Sequence, residues 1–422
     1  MRILLLTQVV PNPPDSGPKV KTHNVLRYLA GHHEVHLVSF VRSETEVAQA
    51  RDLGRYCTTV TTVSLRRSRR KDAVALARSL ITRRPFLVER DDSREMRDAI
   101  AELLRRFTFD AVHADQVSMA QFAADLPLKL RVLDEHNAVW TIVRRAASRE
   151  AWGPYRLLAE LEWRKLRGYE ATVCRAFDLV TVVSAGDEAD LRAVALTSFP
   201  VRVIPIAVDT VGLAYSARPP GARNVVSVAT MFYPPNVEAV HWFATEVFPS
   251  IRRRLPTTEF QIVGSRPPAK ITRLATAESG IHVTGYVADL SEILRRSGVL
   301  IVPLMSGSGM RVKILEAFAR GIPVVSTTIG GEGIDARDGE HLLVADDAEG
   351  FANAVIKLLE QPALAERLAR AARSLVEARY DWQSALKELD AIYPSESPTQ
   401  VADDALIHPL ASPLPVRPTS PD

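Results

Sequence analysis

Val299–Thr327 reads VLIVPLMSGSGMRVKILEAFARGIPVVST. An apolar strand candidate, Val299–Leu304, runs into the loop Ser306-Gly307-Ser308-Gly309. A helix then begins near Arg311, and a second strand candidate follows at Pro323–Thr327. Strand, helix and strand in that order require a crossover, so the two strands lie parallel in one sheet covered by helices. The same alternation runs through most of the chain. In the first half the strand candidates are Arg2–Thr7, Glu34–Phe40, Thr58–Ser64, Asp110–His113, Arg131–Asp134, Asp178–Ser184 and Arg202–Val208. The series restarts with Asn224–Ala229, Glu259–Gly264, Ile281–Val287, Val299–Leu304, Pro323–Thr327 and His341–Ala345.

The break lies at Asp209–Arg223, where Pro219, Pro220 and Gly221 mark a linker. The expected organisation is α/β, with two doubly wound domains: residues 1–208 and 209–380. A closing helix over 381–393 returns to the first domain, and a disordered tail follows at 394–422. That tail carries Pro394, Pro398, Pro409, Pro413, Pro415, Pro418 and Pro421 among Ser, Thr and Ala. Tyr155–Phe177 reads as one long helix, with Trp163, Leu166, Tyr169 and Val173 as its core stripe.

With 422 residues, 46% of them apolar and 24% charged, the composition excludes a disordered chain, a collagen and a disulfide scaffold. No apolar run approaches the ~18–20 residues of a membrane span. The opening MRILLLT reads as a first buried strand. Cys57 and Cys174 are far apart, which argues against zinc and for the cytosol. The net charge of +3 is uneven, because residues 1–200 carry the basic excess. Arg66, Arg67, Arg69, Arg70, Lys71, Arg83 and Arg84 belong to it. Two readings stand for that cluster: a solvated face, or a patch resting on anionic lipid. No aromatic residues interleave it, which disfavours nucleic acid.

Ligands of doubly wound sheets bind beyond the carboxyl ends of the strands. The Ser306–Gly309 loop lies at such an end. Its glycines allow close backbone approach, and the helix start offers unpaired N–H groups and a positive dipole end. Cations at a helix N-terminus oppose the dipole, so Arg311 and Lys313 there are best explained by an anion, and a diphosphate fits. Glu316 accepts hydrogen bonds only and suits a vicinal diol such as ribose. Together these residues describe a nucleotide site. The other reading pairs Arg311 with Glu316 or leaves both to solvent. Neither the phosphate loop of NTPases nor the dinucleotide glycine fingerprint is present.

SGSGMRVKILEAFARGIPVVST, with IHVTGYVADL before it and GGEGIDARDGEHLLVADD after it, resembles the GT-B-fold retaining glycosyltransferases of the group-1 (family 4) type. VATMFYPPNVEAVHWF and VIPIAVD add to the likeness, which covers roughly residues 1–390. It implies two Rossmann-like domains facing a central cleft. It also implies transfer of a sugar from a nucleotide-diphospho-sugar to a glycan or lipid-linked acceptor, with retention and without a metal or other cofactor. The second Glu of the family's Glu-x7-Glu motif falls at Glu316, the ribose ligand. The first falls at Ser308 and is missing. Backbone N–H groups of Gly307 to Met310, including Gly309, would stand in for it. The loop Thr230–Asn236 lacks the usual Arg and Lys, so diphosphate binding passes to Arg311 and Lys313.

By the same resemblance Gly264, Gly285 and Tyr286 lie along the base, and the Pro11–Lys19 loop, with Gly17 and Lys19, lies beneath donor and acceptor. Asp134–Asn137 matches an acidic–His/Asn segment, so His136 would contact the transferred sugar or β-phosphate, with Asn137 and His113 facing the cleft. A structural role for His136 and for His113 stays open. Gly330, Gly331 and Gly333, with Glu332, form a tight turn or line the cleft. Asp91-Asp92 and Asp346-Asp347 read as helix starts and not as a metal site. The expected place is the cytoplasm, with peripheral contact to an anionic membrane at its inner face. Two other classes remain: a sugar-nucleotide epimerase using Glu135 and His136, and a non-catalytic partner of a polysaccharide assembly complex.

Overall fold

The computed structural model describes residues 1–149, 153–195, 198–219, 221–287, 289–307 and 309–394. The proline-rich tail from residue 395 onward and Ser308 lie outside the described residues.

Seven strands build the first sheet: β1 (Arg2–Thr7), β2 (Glu34–Val41), β3 (Thr59–Ser64), β4 (Ala111–Asp115), β5 (Leu130–Glu135), β6 (Leu179–Val182) and β7 (Val201–Val203). They are ordered β3-β2-β1-β4-β5-β6-β7, and every pair is parallel. The second sheet holds β8 (Asn224–Val228), β9 (Phe260–Val263), β10 (Ile281–Gly285), β11 (Ser297–Val302), β12 (Val324–Ser326) and β13 (Leu343–Val344). Its order is β10-β9-β8-β11-β12-β13, again parallel throughout.

The side-chain alternation of a strand explains why both faces are apolar. On β1, Leu4 and Leu6 enter one core cluster while Ile3 and Leu5 enter another on the opposite face. On β11, Leu300 and Val302 face one layer and Val299 and Ile301 the other. The long helix spans Pro154–Ala176, with Leu166 and Val173 buried and Trp163 and Tyr169 packed beside them, as the stripe predicts. Both cysteines are free and buried, and burial pushes the Cys57 thiol up to about 12.

The expected strand Arg202–Val208 is shorter than its sequence pattern. β7 stops at Val203, and Pro205, which has no N–H to donate, cannot continue a ladder. Val208 instead pairs with Asp381 where the chain crosses back, its N–H donating to Tyr380 O at 2.8 Å. Leu386, Leu389, Ile392 and Tyr393 then enter the core of the first sheet's outer face. Tyr28 Oη donates to Asp390 at 2.9 Å. A second expectation is corrected at Asp91-Asp92. Ser93 caps the helix that follows, accepting from Met96 N–H, and the two aspartates take arginines instead. Asp347 does cap its helix, accepting from Gly350 N–H.

In each sheet the strand order reverses once, between β1 and β4 and between β8 and β11. Loops diverge at such a switch point and leave a crevice at the carboxyl edge. The two crevices face each other. A methyl group added at Gly17 would touch Val312 Cγ2 at 3.5 Å, and one added at Gly309 would overlap Asn137 Oδ1.

Candidate functional site

On the second domain the site begins where β11 ends. Gly307 and Gly309 both adopt positive φ, 111° and 85°, which side-chain-bearing residues avoid. The loop can therefore turn tightly into the Val312–Ala319 helix. That helix has Arg311 at its N-cap with no side-chain cap and no acidic residue in its first turn. A helix start presents N–H groups and the positive end of its dipole to a ligand, and here the Ile314 N–H is already taken by Arg311 O at 2.9 Å. Arg311 is held over the loop by a hydrogen bond to Gly309 O. Lys313 lies at the second helical position. Burial, and then Arg311, push its ammonium pKa down to about 7. Glu316 is three residues on, on the same helix face. Burial raises its carboxyl pKa, while Arg320 and Lys313 pull it back. The expected donor residues therefore share one helix end, with cations first and the carboxylate a turn later.

Gly264 follows β9, where a methyl group would overlap Ala229 O, so the chain there must be glycine. Its N–H donates to Gly285 O at 2.9 Å, which brings the predicted base-side residues together, with Tyr286 exposed. Met310 is buried beneath the loop. Tyr233, in the loop after β8, comes near Gly307 and Arg311, a neighbour that the sequence reading missed.

On the first domain the carboxyl ends of β4 and β5 carry a buried polar network. Lys21 Nζ lies 2.5 Å from Asp134 Oδ1, and each residue is 1% exposed. Thr181 Oγ1 donates to the same oxygen at 2.6 Å. Burial alone would raise the Asp134 carboxyl pKa. Lys21, His113 and His136 outweigh it and hold the group well below the ordinary range. Thr22 Oγ1 donates to Asp115 at 2.8 Å. His136 Nε2 lies 2.9 Å from Asp115 Oδ1, outside hydrogen-bond geometry. Asp115, Asp134 and His136 could offer three ligand atoms within 4.8 Å of one another. The Lys21 ammonium already stands against Asp134 there.

His113 does not reach the cleft. It is enclosed, with Nδ1 2.8 Å from Tyr393 Oη and Nε2 3.5 Å from Asp134, so its role is to support the network. Lys19 pairs with Asp15 at 3.1 Å on the rim, and His23 is turned to Pro11 O. Lys21 and Thr22 were not singled out from sequence. A run of polar residues, Lys21 to Asn24, on a helix where all four are buried is the signal that marks them.

Two contacts close the cleft. Arg145 donates to Gly307 O at 2.9 Å and grips Glu332 with both guanidinium nitrogens, at 2.8 and 2.9 Å. Glu332 thus serves the interdomain seam. Gly330 packs against Ser326 and Val302 O in a tight turn, as the plainer reading had it. At the carboxyl edge of the first sheet a cavity of about 170 Å³ lies against Glu135, His136 and Asn137. A larger one, about 460 Å³, is lined by Thr257, Gly280 and His282 at the opposite edge of the second sheet, away from these groups.

Residues 222–361 match the family of glycosyl transferases group 1. The chain is 28% identical over 165 residues to a 44.6 kDa protein of the cps region of Klebsiella pneumoniae, covering 37% of this chain and 42% of that one. It is 32% identical over 117 residues to the phosphatidyl-myo-inositol mannosyltransferase of Mycobacterium leprae, covering 27% and 31%. The chain thus spans less than half the length of these two relatives. HepE of Anabaena, solved with UDP and glucose, superposes with a TM-score of 0.65 at 13% identity, over 93% of this chain and 99% of that one. That likeness shows the fold. The second domain thus matches the group 1 glycosyltransferases, and the two facing parallel sheets give the chain the GT-B fold.

Proposed function

We propose that the protein transfers a sugar from a nucleoside-diphosphate sugar to a hydroxyl acceptor, with retention of configuration. The observation that carries this reading is the uncapped helix end bearing Arg311 and Lys313, with Glu316 one turn on. Arg311, Lys313 and the helix N–H groups stabilise negative charge growing on the leaving diphosphate. That assigns to side chains the work that a divalent ion does elsewhere. Glu316 accepts from the ribose hydroxyls. The sugar C1–O bond to the diphosphate breaks, and the acceptor oxygen bonds to C1 on the same face. The acceptor's proton passes to the departing phosphate oxygen. Closure over the Arg145–Glu332 seam excludes water. The UDP and glucose bound by HepE support a nucleotide-sugar donor.

The test is a thermal-shift panel of UDP, GDP, ADP, CDP and dTDP with chelator present. One nucleotide at 100 times its Kd should stabilise by ~2.7 kcal/mol, and Glu316→Ala should lose most of that shift. No shift from any nucleotide in folded protein favours a non-catalytic partner. Binding of a nucleotide sugar followed by its conversion without acceptor favours the epimerase.

The acceptor in this reading is a glycan or is lipid-linked, and the protein works on the cytoplasmic side of an anionic membrane. No helix among the described residues is long and apolar enough to cross a membrane. The Arg69–Thr82 helix, however, exposes Val74, Leu80 and Ile81, the last at 83%. The start of the long helix exposes Tyr155, Leu157 and Leu161. Lys165 ties the two helices by donating to Ser79 O at 2.9 Å. Arg69, Arg70 and Lys71 begin the first of these helices, Arg66 precedes it and Arg83 caps its end, so cationic groups flank its apolar ones along the chain. The protein should co-sediment with vesicles containing phosphatidylglycerol and not with phosphatidylcholine alone. Ile81→Asp with Leu157→Asp should reduce that binding at least tenfold.

A further inference from the structure

Among the described residues of the second domain, Arg266 alone of the non-glycines holds a positive φ, at 55°. It also precedes Pro267, and the residue before a proline is pushed towards extended backbone. Such strain persists only where the surroundings over-determine it, and it clusters at ligand sites. Here it displays a guanidinium. Arg266 Cζ lies 5.8 Å from the centroid of the Phe232 ring, and among the described residues the guanidinium takes no hydrogen bond and no ion pair. Contact with a ring leaves the N–H groups of a guanidinium free for a further partner, which they meet as a planar fork of donors.

The pair stands at the carboxyl edge of the second sheet. Ala229 N–H donates to Val263 O at 2.9 Å and Met231 N–H to Ser265 O at 3.2 Å, so the loops after β8 and β9 run side by side. The Gly264 N–H bond to Gly285 O carries the tie on to β10, where Tyr286 is exposed. Three of the four exposed aromatic side chains among the described residues, Phe232, Tyr233 and Tyr286, gather at this edge, which suits a flat ring rather than a phosphate. β9 is two strands from β11, roughly 10 Å across the sheet. A nucleotide with its diphosphate at Arg311 and Lys313 and its ribose at Glu316 would extend its base towards Arg266.

We propose that Arg266 selects the base of the nucleotide by donating to a carbonyl oxygen on it, and so takes uracil, thymine or guanine and rejects cytosine and adenine. A guanidinium can only donate. At the end remote from the ribose, the first three bases carry an oxygen and the last two an amino group, which is itself a donor. A donor set against a donor forfeits the hydrogen bond. The inference deepens the transferase reading, on which it rests for the presence of a nucleotide, and narrows the donor to a sugar of UDP, dTDP or GDP.

Calorimetry on the full chain with UDP, dTDP, GDP, CDP and ADP tests this. At least one of the first three should bind tenfold or more tightly than both CDP and ADP. Arg266→Gly removes the guanidinium and suits the positive φ, so it should melt no lower than wild type. Its preference should fall below threefold, with the affinity for CDP and ADP, held by their diphosphate, changed less than threefold. Arg266→Gln, whose amide offers both a donor and an acceptor, should also lose the preference. CDP or ADP binding within threefold of the tightest nucleotide, or a preference that survives both substitutions, overturns the base assignment and leaves the transferase reading standing. No binding of any of the five by folded protein overturns the transferase reading, and the base assignment with it.

Discussion

Lys313→Ala should lower the rate of sugar transfer at saturating donor by about 10²–10³-fold, the range seen when one preorganised donor to a developing oxyanion is removed. The effect is expected to be large because the ammonium is largely withdrawn from water, where its interaction with a phosphate is weakly screened. The same withdrawal gives a second signature. In the empty site the ammonium is fully formed below about pH 7 and is lost as pH rises through that value. A bound diphosphate favours the charged form. Affinity for a nucleotide sugar should therefore be highest below pH 7 and fall above it, by up to about tenfold per pH unit. Without ligand the sign reverses for stability. The unfolded chain keeps the proton up to about 10.4, so wild type gains stability relative to Lys313→Ala as pH rises from 7 towards 10. Titration of the two proteins with UDP-glucose from pH 6 to 9, beside their melting curves, reads both. A flat affinity profile in wild type would remove Lys313 from the diphosphate site.

Asp134→Ala should cost about 3–5 kcal/mol of stability, because it strands the Lys21 ammonium in the interior without its counter-charge. Lys21 is 1% exposed, so it has no route to solvent without opening the first sheet. Thr181 Oγ1 loses its acceptor as well. A melting-temperature drop of about 10 °C or more is expected for a domain of this size. The double variant Lys21→Met with Asp134→Leu should recover much of it, since an apolar pair of similar volume often replaces a buried ion pair without loss. Chemical denaturation of the three variants provides the double-mutant comparison. A cost below about 1 kcal/mol for the single change would show that Lys21 finds another partner.

Much of the architecture was legible because a parallel strand buried on both faces leaves a short β-branched run between helical patterns. β1 falls on the predicted Arg2–Thr7, and β2, β4, β5, β8 and β9 lie within two residues of their expected bounds. Pairing beyond such runs was less legible. The shortness of β7 follows from Pro205, and that of β13 (Leu343–Val344) from its place at the sheet's edge, where it has a partner only on the β12 side. The helix-end cluster of Arg311, Lys313 and Glu316 could be read because its chemistry is local, within six consecutive residues. The first-domain network could not. Lys21 and Asp134 are 113 positions apart, and only the sheet order brings them together. The Arg145–Glu332 seam depends on how two domains meet, which no local pattern encodes.

The crossing at Val208 and Asp381 has a consequence for biosynthesis. Leu386, Leu389, Ile392 and Tyr393 belong to the core of the first domain, yet they are made after the second domain. A growing chain emerges at about 5–20 residues per second, so residues 1–208 wait on the order of 10–40 s for the segment that completes them. During that interval the apolar surface around Tyr28 and Leu29 lacks its cover, while the second domain can already close upon itself. The order of completion is thus inverted relative to the order of translation, and the nascent first half is the stage at which a ribosome-associated chaperone has something to hold.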